Sequence, residues 1–256
     1  MFIPLYDVNA LKHIRLQYVT IGLIIVNIAI WLVTRLGATE QFAGASAMGL
    51  GFIPALHDHA RLDPSLVLVP ESFTYVTYAF LHGDIWHIGA NMLFLWVFGD
   101  NVEDAMGHVR FLVFYLLCAA AAAWFHGFLA PHSEGPLIGA SGAISGVVAS
   151  YFLLHPKVRV WVLILWRIPL PLPAFVPLVF WILQQIYMLA TDTNGNVSFA
   201  AHVGGILAGL VLTPLLKRWR VPLFDRTIVT PKGVQLRPTE EETREKPIEP
   251  PHWGRG

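Results

Sequence analysis

The amino-acid sequence predicts an all-α polytopic membrane protein with six transmembrane helices and a long first loop. Hydrophobic residues make up 55% of the chain and charged residues only 13%, whereas soluble domains carry roughly 25% charged residues. The apolar residues fall into long runs separated by polar or proline-rich stretches. Every second connection between these runs is richer in lysine and arginine, as expected when the chain crosses a membrane repeatedly.

Six apolar stretches are predicted to form the helices. A helix needs about 20 predominantly apolar residues to cross a bilayer, and flanking residues contribute to that length. The first stretch extends beyond a typical signal-peptide core and no small-residue cleavage site follows it, so we expect a retained signal anchor. The helices are expected at residues 20–33, 85–107, 110–128, 141–154, 174–190 and 197–216.

The segments outside the membrane differ in composition. Residues 1–17 are expected to form a cytoplasmic N-terminal segment and residues 18–216 the membrane domain. Residues 217–256 contain six prolines and a run of glutamates, so we expect a mostly disordered cytoplasmic tail.

Two connections within the membrane domain stand out. Residues 37–83 form the long first loop, and a connection of this length tends to be functional or to hold short helices. Residues 160–173 are too short to span the membrane and end in alternating prolines. We therefore expect an interfacial segment there, held by Trp161 and Trp166.

The distribution of basic residues predicts the orientation. The positive-inside rule places the side richer in lysine and arginine in the cytoplasm, and that side includes both termini. The formal net charge is zero, so the chain has no basic signature for binding nucleic acid. The cytoplasmic basic residues are Lys12, Arg15, Arg110, Lys157, Arg159, Lys217, Arg218 and Arg220.

A stretch almost free of bulky side chains opens the fourth predicted helix, from Gly139 to Gly146. Small residues of this kind often let transmembrane helices pack closely. The same stretch also presents Ser141 beside the free N–H groups of a helix start, a favourable position for a nucleophile. The stretch alone does not decide between these interpretations.

Four polar residues from three predicted helices share one depth in the membrane. With the predicted orientation, His87, Asn91, Ser141 and His202 all lie near the outward ends of their helices. At a rise of 1.5 Å per residue they lie within roughly 10 Å of the outer surface. An ionisable residue inside the membrane is by default a functional candidate, although a single histidine can also serve to hydrogen-bond neighbouring helices.

The spacing of small residues predicts how two of these helices meet. Gly142 and Gly146 form one small-residue face, and Gly205 and Gly209 form another. If the two faces pack together, Ser141 and His202 become neighbours. The histidine would then act as general base for the serine, while His87, Asn91 and the Ser141 N–H would stabilise the oxyanion.

No acidic residue lies at this depth in the cores of the three helices, so a Ser–His dyad is predicted rather than a triad. His82 and His87 are five residues apart, a spacing that does not place both on one helix face, and no metal or cofactor is predicted. Ser145 is a deeper and weaker rival nucleophile. Cys118 is expected to be a buried small hydrophobe.

These residues resemble the motifs of the rhomboid family of intramembrane serine proteases. The family's His-xxxx-His-xxx-Asn motif is present as His82, His87 and Asn91. Its Gly-x-Ser-Gly motif spans residues 139–142, including Gly139 and Gly142, and its Ala-His pair is at residues 201–202. Gly-x-Ser-Gly alone is a weak signal, but the three motifs in this order are a specific one.

The resemblance covers roughly residues 1–220 and implies a rhomboid-like bundle. It implies that Ser141 is the nucleophile and His202 the general base, that His82 has a structural role near the first loop, and that the substrates are single-pass membrane proteins within membrane lipid. The sequence departs from the pattern in two places. No Trp-Arg pair precedes His82, and Ser145 replaces an aromatic residue that packs on the catalytic histidine in some members, so another group must orient His202.

Two other functions are compatible with the sequence. A non-catalytic rhomboid-like protein would bind transmembrane clients without cleaving them. A small transporter would place its histidines at the membrane midplane, but here the polar layer lies near one surface and no internal repeat is evident. The compact six-helix plan and the absence of organelle-targeting features suggest a bacterial inner membrane.

Overall fold

The computed structural model describes residues 2–36, 39–56, 62–164, 167–192 and 197–225. Within these residues the chain forms eight α-helices and one three-stranded antiparallel sheet. In chain order the elements are β1 (Phe2–Asp7), α1 (Tyr18–Trp31), α2 (Glu40–Leu50), α3 (Glu71–Thr77), α4 (Ile85–Met106), α5 (His108–Leu129), α6 (Ser141–Leu154), β2 (Arg159–Ile164), β3 (Ile168–Pro173), α7 (Phe175–Thr191) and α8 (Phe199–Leu216).

Three helices in the described part of the chain are long and apolar enough to cross a membrane: α1 with its extension to Arg35, α5 and α8. Helices α6 and α7 are apolar but shorter. Helix α4 has 22 residues and carries carboxylates towards its end. The chain is therefore a helical, polytopic membrane protein, and the number of six spans stays a prediction.

The long first loop holds two short helices, α2 and α3, as the length of the connection suggested. Thr39 caps α2 with its hydroxyl oxygen, which accepts the N–H of Phe42 at 3.3 Å. Residues 57–61 of this loop lie outside the described residues. The loop reaches the helical core through Tyr78, which is fully buried and donates its hydroxyl hydrogen to the carbonyl of Ala119 at 2.9 Å.

The prediction of an all-α fold is wrong for a small sheet. Residues 160–173 form most of the β2–β3 hairpin, and β2 also pairs with β1 at the N-terminus. The prolines that argued against regular structure occur at alternate positions of an edge strand, where a missing N–H faces away from the ladder. Trp161 stacks on Tyr6 of β1 with ring centroids 5.8 Å apart, whereas Trp166 lies outside the described residues.

Helix α1 obtains its N-terminal cap from a distant carboxylate. Its own N-cap residue makes no side-chain capping bond, but Glu103 of α4 accepts the N–H groups of Val19 and Thr20 at 2.9 and 2.8 Å. Glu103 also accepts the Thr20 hydroxyl hydrogen at 2.7 Å and lies 2.5 Å from His108 Nδ1. Its side chain is fully buried, so these bonds tie α1 to α4 inside the protein.

The beginning of the predicted tail packs against the helical core. The N–H of Arg218 donates to the carbonyl of Ala105 at 2.8 Å, and the N–H of Asp225 donates to the carbonyl of Leu154 at 3.0 Å. Residues 217–225 are therefore ordered against the ends of α4 and α6. Residues 226–256, which carry most of the disorder prediction, lie outside the described residues.

Candidate active site

Helix α6 begins at Ser141 because of the backbone just before it. Gly139 has φ +116°, a conformation that glycine adopts readily and other residues adopt only with strain. Its N–H donates to the carbonyl of Tyr78 at 3.0 Å. A Cβ atom at this position would lie 2.5 Å from Nε2 of His87. Glycine is thus required both for the turn into α6 and for the approach of the His87 ring.

His202 lies in the first turns of α8, and the start of that helix is well defined. Ser198 caps it by accepting the N–H of Ala201 at 3.1 Å, and its hydroxyl also lies 2.8 Å from Nδ1 of His126 on α5. Nε2 of His202 lies 2.8 Å from Oγ of Ser141. The two residues are 61 positions apart in sequence, and both are half-buried.

The predicted small-residue faces of α6 and α8 meet directly. A Cβ atom on Gly205 would overlap the carbonyl oxygen of Gly142, and one on Gly209 would overlap the backbone of Gly146. Backbones approach this closely only where side chains are absent. This contact lies within one helical turn of Ser141 and His202, and it determines how far apart α6 and α8 are at that level. Cys118 of α5 lies against the same contact and is buried, as expected.

His87 presents one ring nitrogen towards the start of α6. Its backbone N–H is capped by Asp84, whose carboxylate accepts it at 2.9 Å and accepts the N–H of Trp86 at 2.8 Å. The hydrogen bond from the His87 N–H is the largest of the effects that lower the pKa of Asp84. Nδ1 of His87 accepts the N–H of Gly83 at 3.4 Å. In this arrangement the ring proton resides on Nε2, the atom nearest Gly139.

Asn91 and His82 complete the surroundings of His87. Asn91 lies one turn further along α4, is buried, and donates from Nδ2 to the His87 carbonyl at 3.0 Å. Buried His82 accepts the N–H of Ala140 through Nε2 at 3.4 Å, and its ring lies 5.0 Å from that of His87. His82 therefore joins the end of the first loop to the residue before Ser141.

Gln185 is a polar residue of the site that the sequence analysis did not identify. It lies on α7, is 4% exposed, and places Oε1 2.8 Å from Nδ1 of His202. A signal was available, because a glutamine inside an apolar helix is unusual enough to mark a functional position. The serine at position 145 implied that another group orients His202, and Gln185 contacts the ring at the nitrogen opposite Ser141.

The position of Ser145 does not suit a nucleophile. Its side chain is fully buried, and its hydroxyl donates to the carbonyl of Ser141 at 2.6 Å. Among the residues that the structure describes, no group of three or more His, Cys, Asp or Glu side chains is arranged to hold a metal ion.

The assembled groups have the chemistry of acyl transfer. A hydroxyl lies within hydrogen-bonding distance of an imidazole nitrogen that can accept its proton. The N–H groups at the start of α6 have no partner within the helix, and the Nε2–H of His87 lies beside the same backbone. Donors in such positions stabilise an oxyanion that develops on an attacked carbonyl.

Comparison with known proteins identifies the family of the chain. The family model "Rhomboid domain" matches residues 69–219, which include all the polar residues of the candidate site. The chain is similar to "Rhomboid protein 1, mitochondrial" of Saccharomyces cerevisiae, with 30% identity over 147 residues, or 56% of this chain and 41% of that protein.

Two further relatives are similar to about half of the chain at a comparable identity. "RHOMBOID-like protein 12, mitochondrial" of Arabidopsis thaliana is 29% identical over 57% of this chain and 47% of its own length. "Presenilin-associated rhomboid-like protein, mitochondrial" of Homo sapiens is 31% identical over 51% of this chain and 34% of its own length. The matches span less than half the length of each of these relatives. Because the family model covers more than half of the chain, the protein belongs to the rhomboid family.

Proposed function

We propose that this protein is an intramembrane serine endopeptidase that cleaves single-pass membrane proteins within or beside their transmembrane segments. The observation that carries the proposal is the 2.8 Å contact between Oγ of Ser141 and Nε2 of His202. Serine is a weak nucleophile until an adjacent base takes its proton, and the neutral imidazole is the base of that contact. The family to which the chain belongs includes serine proteases.

The first proposed step is attack on the scissile carbonyl. Oγ of Ser141 bonds to the carbonyl carbon while its proton passes to Nε2 of His202, and the carbonyl oxygen becomes an oxyanion. The Ser141 N–H, the Nε2–H of His87 and the side-chain amide of Asn91 are the proposed donors to that oxyanion. Removing one such donor typically lowers kcat about 10²- to 10³-fold.

The remaining steps release the two fragments. The imidazolium of His202 gives its proton to the departing amine as the carbon–nitrogen bond breaks, which leaves an acyl ester on Ser141. Water then gives a proton to His202 and adds to the ester, and the return of that proton to Oγ frees the serine. Only side chains, backbone N–H groups and water take part in the proposed cycle.

The proposed setting is a membrane crossed six times, by α1, α4, α5, α6, α7 and α8. The excess of lysine and arginine on one side supports cytoplasmic termini and an active site near the opposite surface. Substrates would then meet the enzyme within membrane lipid. We propose the bacterial inner membrane as the location, while the three relatives named above are mitochondrial by name.

The test uses the purified full-length protein with a fluorophosphonate probe and a fluorescently tagged single-pass substrate in liposomes. We expect wild-type protein to be labelled and to cleave the substrate, and Ser141→Ala and His202→Ala to do neither. Cleavage by Ser141→Ala at the wild-type rate would refute the assignment of the nucleophile. If wild-type protein binds a panel of single-pass proteins but neither cleaves them nor reacts with the probe, the protein is a client-binding member of the family.

A further inference from the structure

The ring of His202 has a hydrogen-bonding partner on each nitrogen, and the partners come from different helices. Nε2 faces Ser141 of α6 at 2.8 Å, and Nδ1 faces Oε1 of Gln185 of α7 at 2.8 Å. The ring of His202 thus lies between Ser141 and Gln185, with one partner at each nitrogen. No carboxylate belongs to this arrangement.

The orientation of the Gln185 amide follows from its second hydrogen bond. Nε2 of Gln185 donates to the carbonyl of Trp181, one turn earlier on α7, at 3.3 Å. A carbonyl oxygen can only accept, so the amide nitrogen must face Trp181 and the amide oxygen must face His202. The hydrogen bond to the backbone of α7 therefore fixes the orientation of the Gln185 amide.

This orientation determines which nitrogen of His202 carries the proton. The amide oxygen accepts but cannot donate, so Nδ1 of a neutral His202 must carry the hydrogen. Nε2 is then the unprotonated nitrogen, and it is the one that faces the Ser141 hydroxyl. The opposite tautomer would place two acceptors against each other at Nδ1 and would leave Nε2 unable to take the serine proton.

Apolar neighbours restrain the ring but do not select the tautomer. Phe199 contacts it edge-on with centroids 5.9 Å apart, and the ring of Trp181 lies 6.3 Å away. These contacts limit rotation of the imidazole, yet a ring face does not distinguish the two nitrogens. Selection of the tautomer therefore rests on the hydrogen bond to Gln185.

A neutral acceptor suits a site inside a membrane. A carboxylate in this position would be a buried charge, which is costly in lipid unless it is paired. Glutamine supplies the same acceptor geometry without that charge. When His202 becomes an imidazolium during the reaction, the amide oxygen remains its acceptor.

We propose that Gln185 is a positioning residue that fixes the reactive tautomer of His202 and makes the site a Ser–His–Gln arrangement in place of a dyad. This inference rests on the proposed function for its catalytic consequence, but the tautomer itself is a property of the resting protein. Because Gln185 lies on α7 and the other two residues lie on α6 and α8, the alignment of the base depends on the position of a third helix.

The kinetic test compares Gln185→Met, which keeps the length of the side chain but removes the amide oxygen, with Gln184→Met. Gln184 is adjacent, half-buried, and forms no side-chain hydrogen bond with any residue in the described ranges. We expect Gln185→Met to lower kcat for the liposome substrate about 10- to 100-fold with KM within twofold, and Gln184→Met to leave both unchanged. Equal kcat values for the two variants would refute the proposal.

A second variant separates positioning from general destabilisation. Gln185→Glu restores an acceptor and adds a negative charge, which favours the imidazolium form of His202. We therefore expect higher kcat than in Gln185→Met and an acidic limb of the pH–rate profile that moves up by about one pH unit or more. An acidic limb at the wild-type position would count against contact between residue 185 and the base.

A spectroscopic measurement keeps the inference testable if no substrate is cleaved. In ¹⁵N-histidine-labelled protein above pH 7.5, the His202 signals are assigned by their absence from His202→Asn. We expect a protonated Nδ1 and an unprotonated Nε2 in the wild type and in Gln184→Met, and a mixture of tautomers in Gln185→Met. A single Nδ1–H tautomer in Gln185→Met would overturn the assignment, whatever the outcome of the activity assays.

Discussion

The carbonyl oxygen of Gly142 lies so close to Gly205 that no side chain larger than hydrogen fits between helices α6 and α8 at that level. Ser141 precedes the first of these glycines, and His202 lies three residues before the second. The 2.8 Å separation of the Ser141 and His202 side chains is therefore built on a contact between backbones. Such a contact leaves little freedom for the helices to shift.

A single methyl group at this contact should separate the serine from the histidine. We expect Gly205→Ala to lower kcat/KM about 10²-fold or more, because displacement of a catalytic group by about 1 Å has effects of that size. Overpacking should also lower the free energy of unfolding by ~1–3 kcal/mol. Cleavage assays and thermal unfolding in detergent measure the two effects. Gly22→Ala in α1, where a Cβ meets nothing within 4 Å, is the control: it should keep wild-type activity and be neutral or slightly stabilising.

The turn before Ser141 should be equally intolerant of a side chain. Gly139→Ala would strain a backbone with φ +116° and push the ring of His87 away. We expect loss of most cleavage activity, with a larger change in kcat than in KM since the oxyanion donor moves. Gly89→Ala on α4 has open space around its Cβ and should be neutral or slightly stabilising, because alanine is favoured over glycine in helices. Wild-type kcat in Gly139→Ala would show that the close approach of His87 is dispensable.

The buried carboxylate of Glu103 should matter for stability and not for chemistry. Glu103→Gln replaces one acceptor oxygen by a donor, which would face the N–H group of either Val19 or Thr20. We expect the free energy of unfolding to fall by ~3 kcal/mol, as for other buried charged groups that lose a partner. Glu40→Gln is the matched control, because the Glu40 side chain is 99% exposed and lies 3.9 Å from Arg35. Thermal melting curves that coincide for the two variants would contradict the capping role.

Asp7 should make stability depend on pH. It accepts the Tyr151 hydroxyl hydrogen at 2.6 Å, and burial raises its pKa from 3.8 to about 7. The unfolded chain releases this proton near pH 4 and the folded chain keeps it until about pH 7, so the contribution favours folding at low pH and is lost as pH rises between these values. We expect the melting temperature of Asp7→Asn to fall less than that of the wild type between pH 5 and pH 7.5. Parallel pH profiles for the two proteins would show that Asp7 titrates normally.

Helix positions and the proximity of Ser141 to His202 followed from the sequence because their signals are local and periodic. Apolar runs of sufficient length predicted the long helices, and glycines four residues apart predicted the face that joins α6 to α8. Ser141 and His202 each lie near such a face, so their proximity could be inferred from spacing alone. The length of the first loop indicated either a functional connection or short helices, and the structure contains two short helices, α2 and α3.

The features that the sequence did not predict depend on pairing between distant segments. β1 is separated from β2 by about 150 residues, and no periodicity in either strand identifies its partner. Gln184 and Gln185 are both unusual inside the apolar helix α7, but the sequence does not show which of the two contacts Nδ1 of His202. The cap of α1 comes from Glu103 on α4, and no local capping rule extends over such a separation.

The alternating prolines of β3 determine what can bind beside the sheet. The N–H of Ala174 donates to the carbonyl of Val158. Because alternate residues of a strand point their N–H groups to opposite sides, those of Leu172, Leu170 and Ile168 also face β2. The positions whose backbone groups face away from β2 are Pro169, Pro171 and Pro173. This edge offers no main-chain donor to an approaching strand. An extended polypeptide beside β3 can therefore donate to the proline carbonyls but receives no N–H in return. A polypeptide that binds as a β-strand must find its main-chain donors elsewhere on the protein.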